Sequence, residues 1–253
     1  MNIKFCSGVG RYHTNNPESP RANPFVAIAY HDIISMAKNP PTKPKQVAQW
    51  FIPSSLLTRS KAVQIKQGAF YCLVADIDHQ PPSVDALYSF LLTHWGEYEF
   101  LIYTSRSATE SYQKSHVLIP TIKLTGYRWM LAQSVLNDTL QAAEIMPDRK
   151  TEDANQIIYL PNRGDYYAYQ HHAGALFNPL AVSCFYQQML QHHTQQEAEK
   201  QQRSSIKHTT TEHQANAKHS LITEFNACIR VETLLLQAGY AQKGSLFRHP
   251  NSE

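Results

Sequence analysis

The chain has 253 residues, 42% of them hydrophobic and 17% charged, with a formal net charge of +3 at pH 7. That is enough apolar material for one large domain, or for one domain with a small companion. No apolar run approaches the roughly 18 residues of a membrane span, residues 1–5 are too short and polar for a secretory signal, and so small a positive balance confines any nucleic-acid contact to local basic patches. Cys6, Cys72, Cys184 and Cys228 are far apart and form no Cys-x-x-Cys pair. Free thiols in a reducing cytoplasm are expected, and a zinc knuckle is not.

In chain order, residues 10–25 are rich in Asn, Pro and Arg and read as loop. Residues 25–36 carry Ile28, Ala29, Ile33 and Met36 at helical spacing, which predicts a helix with one buried face. The Pro-rich stretch 39–45 breaks it. After the apolar residues 49–53 comes Thr58-Arg59-Ser60-Lys61. Arg59 and Lys61 are candidates for touching a template or an incoming nucleotide, and a solvated loop is the alternative.

The next stretch organises the chain. Residues 70–77 are an apolar run that ends in Asp76 and Asp78. Residues two apart on a strand share a face, so both carboxylates point at one site. Two like charges that close need a cation between them or a shared proton. Hard oxygen ligands of this kind suit Mg²⁺ or Mn²⁺. The other reading is a strand-end pair that caps a turn with Pro81 and Pro82. Ser83 is placed to cap a helix over 84–94, and Leu87, Phe90 and Leu91 form its apolar stripe. A strand at 100–103 follows, which makes a strand–helix–strand crossover. It leads into Thr104-Ser105-Arg106-Ser107. Lys114-Ser115-His116 then opens a strand that runs to Pro120. Arginine forks onto phosphate oxygens and hydroxyls add donors, so Ser105, Arg106, Ser107, Lys114 and His116 read as a phosphate pocket. A histidine that opens a strand can equally be a structural residue. Residues 125–143 read as an amphipathic helix, with Trp129, Leu136 and Leu140 inward. Asp148 follows, and a strand at 157–160 closes the core.

Over residues 70–165 the ordered set of motifs resembles the archaeo-eukaryotic primase superfamily, most nearly the primase-polymerases of plasmids, phages and other mobile elements. The set is Asp76 and Asp78, the loop 104–107, His116 ahead of Val-Leu-Ile-Pro, Asp148, and finally Ile157-Ile158-Tyr159-Leu160-Pro161. The resemblance implies an α/β (α+β) catalytic fold with an RRM-like, mainly antiparallel sheet covered by helices. It implies two-metal nucleotidyl transfer with Mg²⁺ or Mn²⁺ held by Asp76, Asp78 and Asp148, on a single-stranded DNA template with NTPs or dNTPs. Glu152 and Asp153 rival Asp148 as the third acid. His116 matches the histidine that contacts the nucleotide's phosphates. Where the family often has a basic residue before its closing strand, this chain has Gln156, which leaves Arg149 or Arg163 to supply the charge.

Residues 187–219 are rich in Gln, His, Lys, Glu and Thr and read as an exposed helix passing into a linker. Apolar residues return from Leu221. The expected organisation is a catalytic domain at 1–185, a polar helix or linker at 186–219, and a small helical accessory module at 220–253. In the module Gly239 is a helix cap, and Tyr240, Lys243, Phe247 and Arg248 are its candidate nucleic-acid contacts. The stop at Glu253 points to a fragment whose continuation is a helicase. No Gly-x-x-x-x-Gly-Lys loop occurs in this stretch. Two rival functions stand beside the primase reading. One is a replication initiator that only binds origin DNA. The other is a relaxase, for which the adjacent His171 and His172 and the tyrosines Tyr166 and Tyr167 are poorly spaced.

Overall fold

The computed structural model describes residues 3–10, 23–216, 235, 240–243 and 246–248. The chain divides into two units, Met1–Thr194 and Gln195–Glu253. Elements in order are β1 (Lys4–Val9), β2 (Val26–Ala29), α1 (Tyr30–Lys38), β3 (Gln49–Ile52), α2 (Lys61–Gln67), β4 (Ala69–Ile77), α3 (Val84–Trp95), β5 (Phe100–Thr104), β6 (Ser115–Thr125), α4 (Gly126–Ala142), β7 (Ile158–Tyr159), β8 (Tyr169–His172), α5 (Ser183–Asn216), β9 (Ala241–Lys243) and β10 (Leu246–Arg248).

The fold is α+β. Two four-stranded antiparallel sheets carry the first unit, in the orders β2-β1-β3-β7 and β4-β6-β5-β8. The crossover read from residues 70–103 is present: β4 and β5 are both antiparallel to β6, which lies between them, and α3 connects them. Ser83 caps α3 by accepting the Ala86 N–H at 3.2 Å.

Alternation along β4 sorts its side chains into two cores. Leu73, Ala75 and Ile77 pack with Leu87 and Leu91 of α3 and Trp129, Val135 and Leu136 of α4. Cys72 and Val74 pack with Phe5, Phe51, Leu101, Tyr103, Leu118 and Ile158, so this second core lies between the two sheets. The Tyr103 phenol fastens them by donating to the Tyr159 carbonyl at 2.7 Å.

β4 is an edge strand, and α4 closes its open edge. Trp129 Nε1 donates to the Cys72 carbonyl at 2.8 Å. The Gln133 amide both accepts from Val74 N–H at 3.0 Å and donates to Val74 O at 2.6 Å. The Asp148 N–H meets the Asp76 carbonyl at 2.7 Å. A strand edge satisfied in this way cannot recruit another strand.

Two expectations need adjustment. Residues 26–29 are strand, not the start of a helix, because they pair with Lys4 to Ser7 of β1; the helix begins at Tyr30. The chain builds two sheets in its first unit where the sequence suggested one. Most of 220–253, including Cys228 and Gly239, lies outside the described residues; those that are described include an antiparallel hairpin, β9 with β10. Phe185 and Met189 of α5 belong to the core of the first unit.

Candidate active site

The site is built where β4, β6 and β5 end together. Register sets Asp76 opposite His116, His116 opposite Tyr103, and Tyr103 opposite Tyr169. One transverse row therefore crosses all four strands on the face that looks toward the other sheet. His116 is buried, with its Nε2 3.3 Å from Asp76 Oδ1, and its ring meets the Tyr103 ring edge-on at 5.2 Å between centroids. Asp76 Oδ1 and His116 Nδ1 are both buried without a hydrogen-bond partner among the described residues. Burial pushes the Asp76 carboxyl upward, but His116 beside it and Lys114 and Lys45 farther off outweigh that and hold it below its ordinary value. The carboxylate is the favoured form.

Asp78 lies one step beyond β4. Its Oδ2 is 3.6 Å from Lys114 Nζ. The turn after it is pinned by Tyr112, whose hydroxyl donates to the Asp78 carbonyl at 2.9 Å and accepts the Gln80 N–H at 3.0 Å. Burial likewise pushes the Tyr103 phenol up, aided by Tyr167 and Asp76, so it remains a neutral donor to Tyr159.

A pocket of about 460 Å³ opens over this row, a volume suited to a small-molecule ligand. Asp76, Asp78, Ser105, Arg106, Ser107 and His116 all line it. The hydroxyls of Ser105 and Ser107 are 3.3 Å apart. Arg106 is steadied by a bond from Nη1 to the Arg163 carbonyl at 3.0 Å. The chain passes so close here that a Cβ on Gly164 would meet the Arg106 carbonyl at 2.0 Å, so only glycine fits.

Other candidates stand elsewhere. Asp148 and Arg163 do not line the pocket. The Asp148 carboxylate accepts Lys150 N–H at 3.0 Å, and the Arg163 guanidinium lies over the Tyr167 ring at 5.9 Å. Glu152 is held by Ser134, Asn137 and Arg149, and Asp153 pairs with Lys61. Arg149 is paired with Asp138 and Glu152. Arg59 sits over the Trp50 ring at 5.3 Å. His171 and His172 bond to Glu99 at 3.0 Å and to the Gly96 carbonyl at 2.8 Å.

Three pocket residues were missed in the sequence: Lys45, Asn162 and Asp165. Asn162 accepts Lys43 N–H and donates to Lys43 O, each at 2.8 Å, and this pairing carries the Pro-rich segment, and Lys45 with it, to the pocket. The two residues are 119 positions apart, so no local signal announces the contact. An Asn after Leu160-Pro161 was the available hint.

Among the described residues no group of three or more His, Cys, Asp and Glu side chains could hold a metal ion. The residues still fit a divalent ion of the Mg²⁺ class. Such ions are often held by one or two carboxylates, with waters and substrate phosphates completing the shell, and Asp76 presents a buried carboxylate oxygen whose close polar neighbour among the described residues is the His116 imidazole.

The chain is similar to a cyanophage primase-polymerase domain. That solved structure is the AEP domain (PP-N190) of the Cyanophage S-2L Primase-Polymerase (PrimPol), at a TM-score of 0.40 and 10% identity, covering 75% of this chain and 88% of that one. No family profile and no curated protein match. No helix among the described residues is long and apolar enough to cross a membrane.

Proposed function

We propose that this chain is a DNA primase-polymerase: a nucleotidyltransferase that makes and extends primers on single-stranded DNA in the replication of a mobile element. The observation that carries the reading is the meeting of Asp76, Asp78, His116 and the loop 105–107 in one pocket. Carboxylates for a divalent ion beside hydrogen-bond donors for phosphate are what nucleotidyl transfer from a triphosphate to a 3′-hydroxyl, with pyrophosphate leaving, requires.

In this reading Ser105, Arg106, Ser107 and Lys45 grip the triphosphate by charge-assisted bonds. His116 contacts the same phosphates. Asp76 and Asp78 hold the divalent ion, Mg²⁺ or Mn²⁺, which when bound neutralises triphosphate charge and favours ionisation of the primer 3′-hydroxyl. Lys114 holds Asp78 in place. Asp148 is the third acid in this proposal, and Asp165, which lines the pocket, is its rival. Arg59 and Lys61 are template contacts in this proposal, and a downstream helicase is the expected partner.

One observation favours a second reading, a non-catalytic single-strand or origin binder. The Asp148 carboxylate is engaged by its own turn, not by the pocket. Nucleotide incorporation on a primed template with Mn²⁺ separates the two. The wild-type chain should incorporate. Asp76→Ala with Asp78→Ala should lose incorporation by at least about 100-fold, the scale of losing a preorganised charge at the transition state, yet still bind DNA. Normal polymerisation by that double variant overturns the site, and DNA binding without any wild-type incorporation favours the binder.

A further inference from the structure

A second groove, of about 590 Å³, lies at the opposite end of the β4–β6 ladder from Asp76. Its origin is a break in register. Phe70 pairs with Leu124 and Cys72 with Pro120, so Thr121, Ile122 and Lys123 lie opposite Tyr71 alone. Irregularities of this kind re-aim side chains out of the ladder. The backbone there is satisfied elsewhere: Tyr71 N–H reaches the Pro53 carbonyl at 3.0 Å, and Ile122 N–H reaches the Phe177 carbonyl at 3.0 Å.

The groove has an apolar floor, Ile122 and Leu176, with Tyr71 beside it. Lys4 and Lys123 are exposed on its walls, and neither forms an ion pair among the described residues. Among those residues no acid lines the groove. Thr121 also lines it, fully buried, with its Oγ1 lacking any hydrogen-bond partner among the described residues. A buried hydroxyl left unpaired is costly, and a ligand acceptor or donor brought to it would offset that cost.

We propose that this groove is a second binding site for a nucleotide unit, free or within a single strand. A base lies on the Tyr71 ring and the apolar floor, its edge meets Thr121 Oγ1, and its phosphates meet Lys4 and Lys123. Stacking on an aromatic ring with adjacent cations is how single strands are gripped without sequence preference. The site is about 17 Å along β4 from Asp76, five residues at roughly 3.3 Å each. It stands independently of the reading given to the Asp76 pocket.

Photocrosslinking to the full chain tests it, with a 5-iododeoxyuridine single strand in one arm and 8-azido-ATP in the other, followed by mapping of the adducts. Adducts on Tyr71 or residues 121–123 are expected. They should fall at least tenfold in the Lys4→Glu, Lys123→Glu variant and persist in Asp76→Ala, Asp78→Ala, so failure here is distinct from failure of the catalytic reading. The arm that labels identifies strand or free nucleotide. For a strand, the lysine variant should also lower the slope of log affinity against log salt by about 1.4, two phosphate contacts at about 0.7 each. Adducts confined to residues 105–116, or an unchanged yield in the lysine variant, overturn the proposal. So does displacement by polyglutamate as effective as by unlabelled oligonucleotide, because the groove is then a seat for acidic peptide.

Discussion

His116 Nε2 stands 3.3 Å from Asp76 Oδ1, directly across the β4–β6 ladder. The imidazole thus faces an acid on one side and the aromatic face of the row on the other, with its Nδ1 unpartnered. On the proposed reading, His116→Ala weakens nucleotide binding about tenfold or more, roughly 1.4 kcal/mol, and leaves template binding unchanged. Titration with a labelled nucleotide and, separately, a labelled template strand checks this. Equal nucleotide affinity accompanied only by a lower melting temperature assigns His116 to structure.

Gln133 should be among the costliest polar residues to replace. Its side chain satisfies both backbone groups of Val74 at a fully buried edge. Gln133→Leu keeps the approximate volume and orphans both groups, at about 1–3 kcal/mol each. Urea unfolding should show a total loss of roughly 2–6 kcal/mol. A loss below about 0.5 kcal/mol means that water or a shifted helix replaces the amide.

The thiols give a pH prediction. Burial raises the Cys6 thiol from 9.0 to about 11, and burial raises Cys72 still further. A raised folded-state pKa adds stability that is whole below pH 9 and is lost as pH climbs toward 11, since the unfolded chain releases the proton first. Stability of the Cys228→Ser protein should therefore decline across pH 9–11. At pH 8 a thiol reagent should modify exposed Cys184 rapidly and Cys6 and Cys72 only on unfolding. Rapid modification of all three refutes the packing around β1 and β4.

Primer initiation tests whether residues 195–253, with the candidate nucleic-acid contacts Tyr240, Lys243, Phe247 and Arg248, take part in priming. The first nucleotide has no duplex to hold it, and extra contacts must offset that lost freedom. A chain ending after Thr194 retains Met189 in the core and the His192 bond to Asp138 at 2.7 Å. It should extend primers at close to full rate and fail to start them on a bare template. Equal initiation by both lengths removes residues 195–253 from priming and leaves them as a docking segment.

What was legible in the sequence was whatever depends on neighbours in the chain. Ser83 announced α3, apolar runs announced β4 and β6, and the i, i+2 spacing of Asp76 and Asp78 put both acids at one pocket. What was hidden rests on distant pairing. Residues 26–29 satisfied a helical period because Ile28 and Ile33 are both buried, yet the former is strand and the latter helix. Lys45 sat in a segment read only as a breaker, and Asn162 brings it to the pocket. Asp148 showed the converse limit: its place beside Asp76 was readable, but the direction of its carboxylate was set by a turn three residues long.

The transverse row has a consequence for how the chain finds its own fold. Side chains alternate along a strand, so a slip of β4 by one residue would turn Asp76 from the inter-sheet face into the apolar layer against Leu87 and Trp129. A carboxylate there has neither water nor a cation, a situation folded proteins avoid. The wrong pairing is therefore rejected during assembly by the same acid that the pocket needs afterwards. Replacing Asp76 with an apolar residue removes that rejection along with the charge, so such a variant acquires a misthreaded competitor that the native sequence forbids.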